Sequence, residues 1–516
     1  MSFSYSLILI FIMEFYMKNK NNYVYYISVI ITVILVLWGL VSPKTFEFAA
    51  NTANNFIGTN LSWWYALIMT SFIIFVVWLG FFSPYKSLKL GPDDCKPEFS
   101  FMSWFALLFS AGMGVGLVFY GTAEPLGYFV NPIGVEAGSY EAVDFAMQKS
   151  FLHWGLHPWA NYAVLGLALA YFQFRKNQPG LISSIFIPLI GEDKAKGWIG
   201  HIIDIFAVVA TIAGVTTSLG LGAYQIRSGL HKVFGIPETN LVIVLIVVII
   251  TVIFIGTAIS GLEKGMSQLS NINVAISVAI MIVCLIVGPT IDIFNTLIEG
   301  VGKYFQNLIG NAFATGAYGE ANWFKANTIF YWGWWISWAP FTGTFIARIS
   351  KGRTIREFCA GVLLVPALFS FIWFAIFGRF GIDVFLSPGN VDVLNKAREV
   401  ASNVPTALFN VLEHYPLSSV ISVVVTILLV TFFTTSANSA TFVLGMLTSN
   451  GDLNPSITKK FIWGILQSGV ALALMLFTTN GLQMLQTMSI VGGLPFSIIM
   501  LFVMISTLKI LKKENK

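Results

Sequence analysis

Residues 241–260 read LVIVLIVVIITVIFIGTAIS, twenty positions without one charged side chain. A helix needs about 20 apolar residues to cross the roughly 30 Å hydrocarbon core of a bilayer. Comparable stretches recur at approximately 22–42, 62–84, 100–130, 139–174, 195–232, 239–262, 267–288, 323–349, 354–382, 415–449, 456–479 and 482–511. These twelve runs predict an all-α polytopic membrane protein with twelve transmembrane helices. A barrel would show short alternating segments instead, and the runs above 25 residues call for tilt or extension past the membrane. Composition agrees. The 516 residues include only 29 Lys+Arg and 24 Asp+Glu, so 10% are charged, while 56% are hydrophobic. Ordinary soluble domains carry about 25% charge. A soluble enzyme, a disordered chain and a nucleic-acid binder are excluded, because so much apolar surface has no soluble interior to enter. Cys95, Cys284 and Cys359 are too scattered for a disulfide framework or metal cluster.

The division that follows is a cytoplasmic N-terminal segment over 1–21, one transmembrane domain over 22–511 and a short basic tail over 512–516. With the N-terminus inside, twenty Lys and Arg fall on inner segments and nine on outer ones. That bias places both termini in the cytoplasm and the protein in the cell membrane. Residues 1–16 are apolar but too short to span and lack a cleavage signal, so an alternative start at Met13 or Met17 is expected. Two stretches, 289–312 and 391–413, mix apolar and polar positions at helical spacing and read as amphipathic surface helices.

Three spans are unusual. The third holds AGMGVG, with Gly112, Gly114 and Gly116 at alternate positions. Glycine inside a helix costs about 1 kcal/mol relative to alanine, which points to local unwinding. Unwound backbone in a membrane lies inside protein or lines a wet cavity. Close packing of GxxxG type is the competing explanation. The eighth span carries Trp332, Trp334, Trp335 and Trp338 within seven residues, followed by Pro340 and Gly343. Helical spacing places Trp332, Trp335 and Trp338 on one face and sends Trp334 elsewhere. Stacked indole faces hold quaternary ammonium ions without a counter-charge, and core packing is the alternative. The tenth span contains TFFTTSANSAT over 431–441. Its hydroxyls suit a small hard cation or bond back to the preceding turn.

Formal charge is nearly absent from the spans. Glu124 and Asp204 are the exceptions, expected near membrane edges in capping or loop pairing. His153 and His157, four apart, lack a third metal ligand and are expected to bond backbone. No nucleophile–base–orienter set appears, so an enzyme is not expected. Nor does a repeated pore filter, which argues against a channel.

The motifs AGMGVGLVFYG (111–121) and FYWGWWISWAPF (330–341) resemble the betaine/choline/carnitine transporter family. FLHWGLHPWANY (151–162), GLEKG (261–265), FIARISKGRTIREF (345–358) and FTTSANS (433–439) extend the resemblance from about residue 22 to 510. The resemblance implies a LeuT-type fold in which two leading helices precede two inverted five-helix repeats, here spans 3–7 and 8–12. It implies an aromatic cage at Trp332, Trp335 and Trp338, with Phe119, Trp154 and Tyr162 along the substrate path. The substrate carboxylate would face the backbone of Gly112, Met113, Gly114 and Gly116, where a helix dipole favours an anion. Choline-selective members carry an acid near the position of Gly116, so glycine here favours a zwitterion such as glycine betaine.

The resemblance also implies a sodium site of carbonyls at Ser110, Met113 and Phe432 with hydroxyls of Thr435 and Ser436. A second family sodium site matches at Thr211 and Phe341, but Val215 stands where its other threonine belongs. Valine offers no ligand, and Thr216 lies about 100° round the helix. The expected protein is therefore a sodium-coupled importer of a quaternary-ammonium zwitterion for osmoprotection, using no cofactor beyond the coupling ion. A sodium-independent or proton-coupled carnitine or choline carrier or exchanger is the alternative. Bilayer lipid and, through the 289–312 helix, two further copies in a homotrimer are its expected partners.

Overall fold

Helices form wherever apolar residues run without interruption, and they stop at glycine, proline and polar turns. The computed structural model describes residues 22–112, 114–260 and 263–514. The possible start sites, Met113, Gly261–Leu262 of GLEKG and the last two residues lie outside them. In chain order the longer helices are α1 Tyr23–Val41, α2 Pro43–Asn60, α3 Ser62–Val77, α4 Phe101–Gly112, α5 Val115–Val130, α6 Tyr140–Trp154 and α7 Leu156–Ala170. They continue as α8 Trp198–Phe234, α9 Asn240–Ser260, α10 Glu263–Val287, α11 Thr290–Ala312, α12 Ala321–Ala326 and α13 Thr328–Ile349. The last six are α14 Ile355–Asp383, α15 Val391–Ser402, α16 Ala407–Leu412, α17 Ser418–Leu447, α18 Ile457–Phe477 and α19 Gly481–Glu514.

Among the described residues nine helices are long and apolar enough to cross a membrane. The three other expected spans fail that test for instructive reasons. The third is divided between α4 and α5, and the fourth is divided between α6 and α7 at Gly155. The eighth, α13, is diluted by Trp, Gly, Ser and Thr. These same three elements carry the candidate site. Gly155 was not foreseen as a break, and neither was α2, which lies between the first two expected spans. The amphipathic helix at 289–312 is present as α11. The one expected at 391–413 is instead two helices, because Pro405 in the 404–406 turn cannot continue a helix.

Helix α13 packs against α7, α8 and α19, and α8 in turn packs against α17 and α19. At one end of α13 its following loop is sewn to the loop after α3. Leu90 N donates to the Arg353 carbonyl at 2.8 Å and Gly352 N to the Leu90 carbonyl at 2.8 Å. Helix α14 then starts from a capping box, in which Thr354 and Glu357 satisfy each other's backbone N–H groups.

Candidate substrate and ion site

The third span is interrupted where its glycines cluster. Helix α4 ends at Gly112, Gly114 is extended (φ −145°, ψ −162°), and α5 begins at Val115. The break faces the hydroxyl-rich turn of α17: a Cβ on Gly114 would lie 3.5 Å from Ser436 Oγ. Thr435 Oγ1 donates to the Thr431 and Phe432 carbonyls, each at 3.1 Å, and Thr434 Oγ1 to the Val430 carbonyl at 2.8 Å. Back-bonding uses the hydroxyl protons and leaves oxygen lone pairs for a cation. The side chain of Ser110 and all of Met113 lie outside the described residues.

The Trp-rich helix does not present the face expected of it. Trp332 turns away from Trp335 and stacks on His157, with centroids 4.7 Å apart and planes 23° apart. Trp334 instead stacks on Trp335 at 4.7 Å and 14°. The correction has a simple cause. At about 100° per residue, Tyr331, Trp334, Trp335 and Trp338 fall within one arc of about 100°, and Trp332 lies about 60° beyond its edge. The spacing i, i+3, i+4, i+7 from Tyr331 was the signal that spacing by threes concealed.

Around this arc the rings converge. Trp154 meets Trp335 edge-on at 4.8 Å and Trp334 at 6.1 Å. Tyr162 reaches the edge of Trp335 at 6.5 Å. Phe119 is fully buried beside Tyr120, 4.9 Å away, and Tyr120 in turn meets Trp334 at 5.9 Å. Gly116 forms the floor: a Cβ there would lie 2.6 Å from Trp334 Cη2 and 3.2 Å from Trp154 Cη2. Trp338 is anchored separately. Its indole N–H donates to the Gly214 carbonyl of α8 at 2.9 Å, and Phe341 packs edge-on against it at 5.3 Å. Thr211 Oγ1 donates to the Ala207 carbonyl at 2.8 Å, and Val215 is buried.

Glu124 is not in a cap or loop pair. It is buried behind the aromatic cluster. Trp154 Nε1 donates to its Oε2 at 2.7 Å, the Tyr331 hydroxyl donates to the same oxygen at 2.5 Å, and His153 Nδ1 lies 2.7 Å from Oε1. His153 thus bonds side chains rather than backbone, with Thr328 Oγ1 at 3.1 Å from its other nitrogen. Its own carbonyl accepts the Trp335 N–H at 2.9 Å. A carboxylate accepting from an indole and a phenol orients both rings, and such networks polarise their members. The rings become better partners for a cation. A lone acid inside an apolar run was itself the clue to this role. Asp204 does pair with a loop, accepting from Ser183 N at 3.0 Å and Ser183 Oγ at 2.7 Å. From the Glu124 cluster a cavity of about 170 Å³ opens between Tyr120, Tyr128 and Tyr331. A second, of about 660 Å³, adjoins it at Phe330 and Gln486 and is lined by Asn51, Asn54, Asn55 and Lys325.

The profile of the betaine/carnitine/choline family transporters (BCCT) matches residues 23–516. This chain belongs to the BCCT family. The glycine betaine transporter OpuD of Bacillus subtilis (strain 168) is 47% identical over 504 residues, covering 97% of this chain and 96% of the relative. A probable glycine betaine transporter of Desulfitobacterium hafniense (strain Y51) is 46% identical over 500 residues, covering 96% and 99%. The ectoine/hydroxyectoine transporter of Virgibacillus pantothenticus is 40% identical over 501 residues, covering 97% and 98%. As a BCCT member the chain is a multi-pass membrane transporter.

Proposed function

We propose that this BCCT transporter imports glycine betaine, or a close quaternary-ammonium zwitterion, by sodium symport with alternating access. The observation that carries the reading is the wall of Trp154, Trp334 and Trp335 set across Gly116 from a helix break that faces Ser436. The trimethylammonium group enters among the indole faces. The carboxylate meets the freed N–H groups at the break, where the helix dipole of α5 favours negative charge. Sodium binds between the break and the hydroxyls of Thr435 and Ser436, and so couples the α4–α5 break to α17. Its inward movement supplies about 2.3 kcal/mol per charge per 100 mV of membrane potential. The names of the Bacillus and Desulfitobacterium relatives support the substrate class. Osmoprotection is the physiological purpose that fits such a solute.

The protein works in the cell membrane with both termini inside. The exposed apolar row of Ile291, Ile298 and Phe305 on α11, spaced by seven, supplies a contact for homotrimer formation. Radiolabelled betaine uptake into proteoliposomes tests the reading. An inward sodium gradient should drive accumulation, and carnitine, choline and ectoine should compete less well than unlabelled betaine. Equal uptake with potassium replacing sodium would refute sodium symport. Preferential uptake of choline would refute the zwitterion.

A further inference from the structure

Behind the Trp335 wall, the seam between α7 and α13 buries polar atoms that no protein group satisfies. His157, Asn161 and Trp332 are each 0% exposed. Asn161 lies one turn beyond His157, and its Nδ2 donates to the Trp335 carbonyl at 2.7 Å. Its Oδ1 has no protein partner, nor do the two His157 ring nitrogens or Trp332 Nε1. The Leu152 backbone lies against the His157 ring, but neither ring nitrogen makes a hydrogen bond of good geometry. His157 and Trp332 lie face to face at 4.7 Å. Their N–H groups lie in the ring planes, so the two rings cannot satisfy each other.

Buried polar groups left dry are destabilising. The usual remedy is buried water making about three hydrogen bonds. Leucine at 161 would fill similar space without that cost, so packing alone does not explain an asparagine. Its amide donor has a definite use. Pro340 lies inside α13 and has no N–H to return to the Ile336 carbonyl. The turn carrying Trp335 and Ile336 therefore lacks one helical hydrogen bond, and α7 braces it from the side.

We propose that Asn161 is a positioning residue for Trp335, and that Asn161, His157 and Trp332 enclose ordered water that completes this brace. The inference rests on the reading that Trp335 holds the ammonium group of a betaine-like substrate.

The full-length transporter in detergent or nanodiscs provides the test, with glycine betaine and sodium as ligands. Asn161→Leu removes both the brace and the unsatisfied oxygen. The expected result is a betaine Kd raised about tenfold or more, with the sodium half-saturation and the thermal midpoint little changed. A purely structural role predicts the reverse, a higher midpoint with betaine affinity unaltered, and that result would overturn the proposal. A structure resolving ordered water decides the other half without any substrate. Water within hydrogen-bond reach of Asn161 Oδ1 and the His157 ring supports the site, and a dry seam refutes it. Failure of the wild-type protein to bind betaine would count against the proposed function, while the water site would still be decided by that structure.

Discussion

Trp154 and Glu124 are joined by an indole N–H that donates to the carboxylate at 2.7 Å, thirty residues apart in sequence and on different helices. The same oxygen accepts the Tyr331 hydroxyl, so one carboxylate sets two rings of the candidate cage from α6 and α13. Glu124→Ala leaves both donors buried and unpaired, at about 1–3 kcal/mol each. Betaine affinity, read from tryptophan fluorescence, should fall about tenfold or more. Glu124→Gln, which keeps one oxygen acceptor, should fall less. Equal affinities in wild type and Glu124→Ala would show that the carboxylate does not position the cage.

Trp335 and Trp332 should separate cleanly. Trp335→Ala removes a cation–π wall worth about 2 kcal/mol, or about 30-fold in Kd. Trp332→Ala opens a cavity against His157 and costs about 3–5 kcal/mol of stability. It should lower the thermal midpoint more than it lowers affinity. The two measurements on the two variants form a two-by-two comparison, and similar profiles would contradict the assignment of faces.

Gly116→Ala places a methyl where Trp334 Cη2 would be 2.6 Å away and Trp154 Cη2 3.2 Å away. One ring has to move, because protein interiors have little free volume. Uptake should drop sharply while the protein remains folded and monodisperse. Retained uptake at wild-type KM would mean that the rings are free to yield.

Sodium dependence should respond to α17 and α8 differently. Ser436→Ala should raise the sodium concentration for half-maximal uptake, with less effect at saturating sodium. Val215→Thr adds a hydroxyl one turn from Thr211 and should raise the sodium Hill slope from about 1 towards 2, the slope being bounded by the number of sites. An unchanged slope would place any second ion elsewhere.

Much of this was legible in the residues themselves. Long apolar runs specify membrane helices because each run must satisfy its own backbone. The break between Gly112 and Val115 follows from the local cost of glycine, and the early end of α15 follows from Pro405. The aromatic and hydroxyl motifs named the elements of the site for the same reason: composition and period act over a few residues. The Gly155 break and helix α2 were less visible, since a single glycine and a polar asparagine-rich stretch carry weak local signals.

The sequence by itself determined a polytopic helical transporter, its interrupted third span and its tryptophan-rich eighth. Only the tertiary structure decided that Trp334 rather than Trp332 stacks on Trp335, that Glu124 accepts from Trp154 and Tyr331, and that Asn161 donates to the Trp335 carbonyl. The physical reason is phase. A ring's neighbours depend on the rotation of one helix against others remote in the chain, as when Glu124 meets Tyr331 across 207 residues. That rotation is set by packing many side chains at once, and no short stretch of residues encodes it.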